Sequence, residues 1–324
     1  MKRRFLKIFG LAALAALLVP GTAGAQAYPA KPIRLVVPYG PGGPSDVVAR
    51  VVADEMGKSL GQPVVVDNKP GAGSMLGTEV VVRSPADGYT LLLTDLPVTI
   101  VPHVLRASVK YDPMKDLEPV SLIGGSPMGF YASGHTGAHT LAEFIAKARS
   151  DGVRLASGGN GTLTHLMAEV FAQAAQFKMT HVPYLGTGPA VPDLLAGRVD
   201  GMFNSYLTMG PFLQGDKVRP LGIAAAARMG ELPSVPTFAE AGLPAVSVNY
   251  WLGIAAPAKL PRPIGDKVRA ALQKAMQSPG VKEKFQSLAI TAAPDPSAEA
   301  MRGAIEADYA RWGSVVRERH ITVN

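Results

Sequence analysis

The sequence predicts an α/β fold of two lobes, and three observations carry that prediction. From Lys31 onward, apolar runs of strand length alternate with segments of helical spacing, the pattern of mostly parallel sheets flanked by helices. The alternation runs through two series, and each has a strand, a Gly-rich loop and a helix near its start. A chain of 324 residues suits two domains of ordinary size, yet no Gly/Ser linker separates the series. Two lobes joined by more than one short crossover follow from that. Hydrophobic residues at 47% and charged residues at 18% supply a sizeable core and exclude wholesale disorder.

The N-terminus stands apart from this pattern. Lys2, Arg3, Arg4 and Lys7 precede an apolar run over 8–19, followed by Ala23-Gly24-Ala25 and Ala25-Gln26-Ala27. A basic segment, a short apolar run and small residues predict a cleavable secretory signal peptide over 1–27. The run is short for a membrane span of about 20 residues, and no later segment is a transmembrane candidate. Cleavage removes four bases, so the formal charge of +7 falls by four to +3. That is too mild to argue for nucleic acid. Cysteine is absent, which excludes disulfides, thiolate metal sites and thiol nucleophiles.

In the first series, strands are expected over 33–37, 64–66, 89–93 and 120–123. Helices are expected over 46–60, with apolar residues at 47, 48, 51, 52 and 56, and over 75–83. The second series has strands over 128–132, 153–156, 180–183, 199–204 and 218–224. Its helices fall over 141–149, opened by the capping box Thr140-x-x-Glu143, and over 164–176 and 189–196. Residues 246–250 and 251–255 read as strands that cross back, and 264–277, 281–288 and 298–317 as helices. Lobe 1 is then 28–125 plus 248–324, and lobe 2 is 126–247.

Two loops carry the candidate chemistry. The first, Pro38-Tyr39-Gly40-Pro41-Gly42-Gly43-Pro44-Ser45-Asp46, leads from a strand into a helix. Glycines let the backbone approach a ligand, and the helix start offers free N–H groups and a positive dipole end, so the loop suits an anion such as a carboxylate. It also reads as an ordinary tight turn with Ser45 as N-cap. The second, running from Ser157 through Gly158, Gly159, Asn160, Gly161, Thr162 and Thr164 to His165, has the same plan and the same alternative. Facing each other across a cleft, the two could hold both ends of a small acid.

Several enzyme signatures fail on spacing. The glycines at 71, 73 and 77 are one residue off the dinucleotide fingerprint, Gly57-Lys58-Ser59 lacks the upstream glycine of a P-loop, and no G-x-S-x-G elbow occurs. His135-x-x-x-His139 has metal spacing but no carboxylate before Glu143. Tyr184 and Trp251 read either as core or as a wall for a planar ligand.

The chain resembles the periplasmic solute receptors of tripartite tricarboxylate transporters, the Bug family. The resemblance rests on the stretch 28–38, on Gly42-Gly43-Pro44-Ser45-Asp46 with Ala49-Arg50, and on Asn68-Lys69-Pro70-Gly71-Ala72-Gly73. It continues in His181-Val182-Pro183-Tyr184-Leu185-Gly186, Gly188-Pro189-Ala190, Leu232-Pro233-Ser234-Val235-Pro236-Thr237 and Glu240-Ala241-Gly242. It covers essentially the whole mature chain. It implies the type 2 two-lobed periplasmic binding-protein fold, with a small carboxylated solute between the two loops, held largely by backbone amides and ordered water. It also implies a periplasmic monomer without catalysis, metal or cofactor, which delivers its solute to membrane subunits of such a transporter.

On this reading Tyr39, Ser45, Asp46 and the amides of Gly42 and Gly43 hold one end of the ligand. Ser157, Gly159, Asn160, Gly161, Thr162 and Thr164 hold the other, and Asp95, Tyr184, Asn204 and Trp251 shape the middle. Asp95 and Asn204 depart from the family's usual residues. Asp95 is expected either to face the cleft and repel a second carboxylate, or to cap the segment after its strand. Two other functions stay open: a sensory adaptor that presents a bound solute to a membrane kinase, and an exported hydrolase using Ser157 and His165.

Overall fold

The computed structural model describes residues 28–42, 44–319 and 321; the expected signal peptide and Gly43 lie outside the described residues. The strands are β1 (Ile33–Val37), β2 (Val64–Asn68), β3 (Thr90–Asp95), β4 (Leu117–Gly125), β5 (Met128–Ser133), β6 (Val153–Ser157), β7 (Met179–Pro183), β8 (Gly201–Ser205), β9 (Val218–Ala224), β10 (Leu252–Pro257) and β11 (Thr291–Ala292). They form a six-stranded sheet, ordered β11-β4-β10-β3-β1-β2, and a five-stranded sheet, ordered β7-β6-β8-β5-β9. The chain passes between sheets twice, from β4 to β5 and from β9 to β10.

Mostly parallel sheets were the expectation, and both sheets are mixed. β1 runs parallel to β2 and β3, and β6 parallel to β7 and β8. β10 is antiparallel to β3 and β4, and β5 to β8 and β9. The crossovers explain this. β4 and β9 run toward the lobe boundary, so the strands that receive the chain, β5 and β10, must run away from it.

Ten helices are labelled along the described chain: α1 (Pro44–Leu60), α2 (Met75–Val82), α3 (Val101–Val104), α4 (Leu141–Asp151), α5 (Leu163–Ala174), α6 (Val191–Leu195), α7 (Tyr206–Met209), α8 (Arg262–Gln277), α9 (Pro279–Ser287) and α10 (Ala298–Glu318). The apolar stripe of α1, Val48, Ala49, Val52, Ala53 and Met56, is buried in one core with Val268, Ala271, Leu272 and Ala275 of α8 and with Ile33 and Leu35 of β1. Each fully buried Val, Leu, Ile or Met side chain of this core contributes about 1.5–3 kcal/mol. The second lobe is built on Phe130, Phe144, Phe171, Phe203 and Phe238, whose rings pack largely edge-on or tilted, the Phe144–Phe171 pair stacking. Met301, Ile305 and Trp312 of α10 join the same core as Leu166 and Val170 of α5, so α10 fastens the lobes together.

Two expected elements differ. Residues 246–250 do not pair as a strand. A 3₁₀ turn spans Pro244–Val246, and Val246 and Val248 are buried in the core that also takes in α5. The expected helix over 189–196 is a 3₁₀ turn, Gly188–Ala190, followed by the short α6, because Pro189 and Pro192 cannot donate backbone hydrogen bonds.

Candidate functional site

The two loops lie at ends of their sheets that face one another. Leu207, on α7 just after β8, packs against the lobe 1 core that Tyr39 and Tyr250 also touch. The C-terminal end of β8 therefore adjoins lobe 1. Since β6 is parallel to β8, the loop after Ser157 lies on that same side.

In the lobe 1 loop, Asp46 is an internal latch. It is 2% exposed. Its carboxylate accepts from the Gly42 amide at 2.8 Å, from Asn68 Nδ2 at 2.9 Å and from Arg50 Nε at 2.9 Å. Burial pushes its pKa up, but these donors outweigh burial and hold it below the ordinary carboxylate value. Asp46 and the Gly42 amide, both expected at the ligand, are here bonded to each other and fix the loop. Ser45 sits in the first turn of α1, nearly buried.

Beside this loop lies a cluster the sequence only half disclosed. Asp95 ends β3 and is 2% exposed. Its Oδ1 accepts from the Tyr39 hydroxyl and its Oδ2 from the Tyr250 hydroxyl, each at 2.7 Å. Burial pushes the Asp95 pKa up to about 6, against the opposing pull of the two tyrosine bonds. Both phenols are pushed well above their ordinary range, first by burial and then by the Asp95 charge. The capping alternative for Asp95 is corrected, because its side chain caps no backbone amide of the turn that follows.

The lobe 2 loop spends most of its amides on itself. Gly158 N–H donates to Thr164 Oγ1, Gly159 N–H to Ser157 Oγ and Gly161 N–H to His165 Nδ1, each at 3.0 Å. The amides of Gly159 and Gly161, expected at the ligand, are here engaged within the loop. Gly159 has φ +126°, and a Cβ there would meet the Tyr184 carbonyl at 3.1 Å, so glycine is required. What the loop leaves open is the start of α5. Thr162 makes no side-chain cap, and no acceptor faces the amides of Leu163, Thr164 and His165 among the described residues. No acid occupies that first turn either. Asn160 is exposed at the loop tip, and the Thr162 and Thr164 hydroxyls lie 3.1 Å apart.

Ser157 is fully buried and pairs with His181 Nε2 at 2.6 Å rather than with His165. The Ser157–His165 pair that a hydrolase would need is not formed. Instead the two imidazoles stack 3.7 Å apart, and His165 Nε2 faces Glu169 at 3.6 Å. Burial, then the neighbouring His165, lowers the His181 pKa to about 4. The stack thus supports the loop from beneath, with His181 disfavoured as a cation by its burial.

Three residues expected at the middle of the cleft have hydrogen-bond partners within the protein. Trp251 is buried and donates from Nε1 to Asp308 of α10 at 2.8 Å, a tether rather than a wall. The Tyr184 hydroxyl is held by Asp193 at 2.7 Å. Asn204 is 3% exposed, and its Oδ1 accepts from the Ser205 amide at 2.9 Å. Sequence reasoning missed Tyr250 and His181 as partners. Each is an aromatic or imidazole whose role depends on a contact far along the chain. A cavity of about 560 Å³ lies away from both loops, between α8, α9, β11 and residues 228–231, and touches none of the predicted site residues.

Comparison with known proteins agrees with this architecture. The family model described as tripartite tricarboxylate transporter family receptor matches residues 48–321. BugT of Bordetella pertussis is 36% identical over 322 residues, covering 97% of each chain. MatC of Rhodopseudomonas palustris, solved with bound malate, is 32% identical with a TM-score of 0.78, covering 89% of this chain and 100% of MatC. An R. palustris protein solved with adipate is 27% identical with a TM-score of 0.79, covering 91% and 100%. The class is that of two-lobed α/β solute-binding receptors. The chain belongs to the tripartite tricarboxylate transporter receptor family, the Bug group of periplasmic binding proteins.

Proposed function

We propose that this protein captures a small carboxylate in the periplasm and presents it to the membrane subunits of a tripartite tricarboxylate-type transporter. The observation that carries the reading is the open start of α5: three successive amides without acceptors, at the positive end of a 12-residue helix, on the side that faces lobe 1. The carboxylate rests on those amides, with Thr162, Thr164 and Asn160 around it. Tyr39 and Ser45 line the opposite wall. Lobe 1, residues 28–125 plus 248–324, and lobe 2, residues 126–247, close on the ligand, and the closed form is the one a transporter reads. The malate and adipate in the two related structures support a carboxylate as the ligand class. A thermal-shift screen across small carboxylates tests this, since a ligand at 100 times its Kd adds about 2.7 kcal/mol. Mass spectrometry of the incubated ligand should show it unchanged, and turnover would overturn the reading.

A further inference from the structure

We infer that Asp95, held between Tyr39 and Tyr250, is the specificity filter of the cleft: it rejects a second anionic group on the ligand and favours a hydrogen-bond donor at the far end. The inference rests on the carboxylate reading above and adds the class of acid.

Three observations carry it. First, Asp95 has no compensating cation. The titratable groups facing it are Tyr39 from the β1–α1 loop, Tyr250 from the segment before β10 and, further off, Tyr111 after α3. Among the described residues no Lys, Arg or His forms an ion pair with it. A buried charge without a counter-ion acts strongly on other charges nearby, because little water screens it. Second, the ionised carboxylate accepts a hydrogen bond from each tyrosine hydroxyl, one on each oxygen. The Tyr39 and Tyr250 oxygens then have only lone pairs to offer, so these two phenols accept hydrogen bonds and cannot donate them. A ligand carboxylate is also acceptor-only, and would meet it without a proton between them. A hydroxyl or ammonium would supply one. Third, Asp95 lies at the C-terminal end of β3, where α/β sheets bind ligands, and its partner Tyr39 lies on the loop between β1 and α1. Lobe 1 therefore opposes a second negative charge on a ligand whose first charge rests on the open start of α5.

The filter acts through the charge of Asp95, so it depends on pH in a defined direction. Above its pKa of about 6, Asp95 is ionised and the filter is on; below that value it is neutral and the filter is off. His181, whose pKa is lowered to about 4, belongs to lobe 2 and is unchanged in an Asp95 variant.

The test measures Kd by calorimetry for 4-hydroxybutyrate, succinate and 3-sulfopropanoate, and for the matched six-carbon hydroxy acid and adipate, at pH 8 and pH 5. The sulfonate stays ionised at both. At pH 8 the hydroxy acid should bind at least tenfold more tightly than the matched dianion. For the sulfonate that preference should fall at least threefold at pH 5. Asp95→Asn should abolish both the preference and its pH dependence. The wild-type pH comparison needs no variant, so the inference stays testable if Asp95→Asn misfolds. Dianions that bind as tightly as hydroxy acids at pH 8, or a preference unmoved by pH, would overturn the filter and leave the carboxylate reading standing. If no carboxylate of any length binds, the carboxylate reading falls and the filter falls with it.

Discussion

Asp95 and Tyr250, 155 residues apart in sequence, share a 2.7 Å hydrogen bond beside the candidate ligand loop. Tyr39 matches it on the other carboxylate oxygen. The bond joins the end of β3 to the segment that returns from lobe 2, so it also fastens one crossover to the site. Tyr250→Phe removes one of the two donors that oppose burial. The Asp95 pKa should then rise above about 6, and the protein should lose about 1–3 kcal/mol at neutral pH, the cost of an unmet buried acceptor. NMR titration of the carboxyl carbon and a urea melt check the two halves of this prediction.

Asp46 should behave in the opposite sense with pH. Its folded pKa lies below the ordinary value of 3.8, so its contribution is present above that value and lost as pH falls through the folded one. Asp46→Ala leaves the Gly42 amide, Asn68 and Arg50 without their acceptor. It should cost roughly 2–3 kcal/mol, the scale of hydrogen bonds to a charged group. Urea melts at pH 7 and pH 3 should show the gap between wild type and variant narrowing at the lower pH.

His181 predicts a second acid-sensitive step. Its folded pKa of about 4 lies below the ordinary 6.5, so the neutral imidazole stabilises the fold above pH 6.5. That contribution declines as pH falls from 6.5 toward 4 and is exhausted below it. His181→Gln should flatten the stability profile in that window, as read by thermal melts at half-unit pH steps. A profile of unchanged slope would mean that another group titrates there.

Trp251→Phe separates tether from binding wall. The variant loses the Nε1 donor to Asp308 and should lose about 1–3 kcal/mol of stability, because a half-buried carboxyl loses a partner. Ligand affinity should stay within twofold, and a tenfold loss measured by calorimetry would place Trp251 in the site.

Much of the fold was legible because its signals are local. Helical spacing marks α1 and α8, and the Thr140 side chain does accept from the Glu143 amide at 3.2 Å, as the capping box requires. The strand directions were not legible, since they depend on which strands receive a crossover. The stretch 246–250 misled because buried valines look the same whether they pair in a sheet or pack as a loop. In the site, the glycine loops were visible, but not which amides they keep for themselves. Asp46 capturing the Gly42 amide and His165 capturing that of Gly161 are four-residue contacts decided by loop shape. Asp95 stood out by its chemistry, and its two tyrosines became visible as its partners only once β3 was paired with β1 and with β10.

The central claim is that an anionic carboxylate, not merely a molecule of that shape, occupies the open start of α5. Calorimetric titration of the mature protein with a carboxylate found in the screen and with its neutral primary amide tests this most directly. The account predicts one site per chain and binding of the acid at least 100-fold tighter than the amide, a difference of about 2.7 kcal/mol. Equal affinities for acid and amide would contradict it.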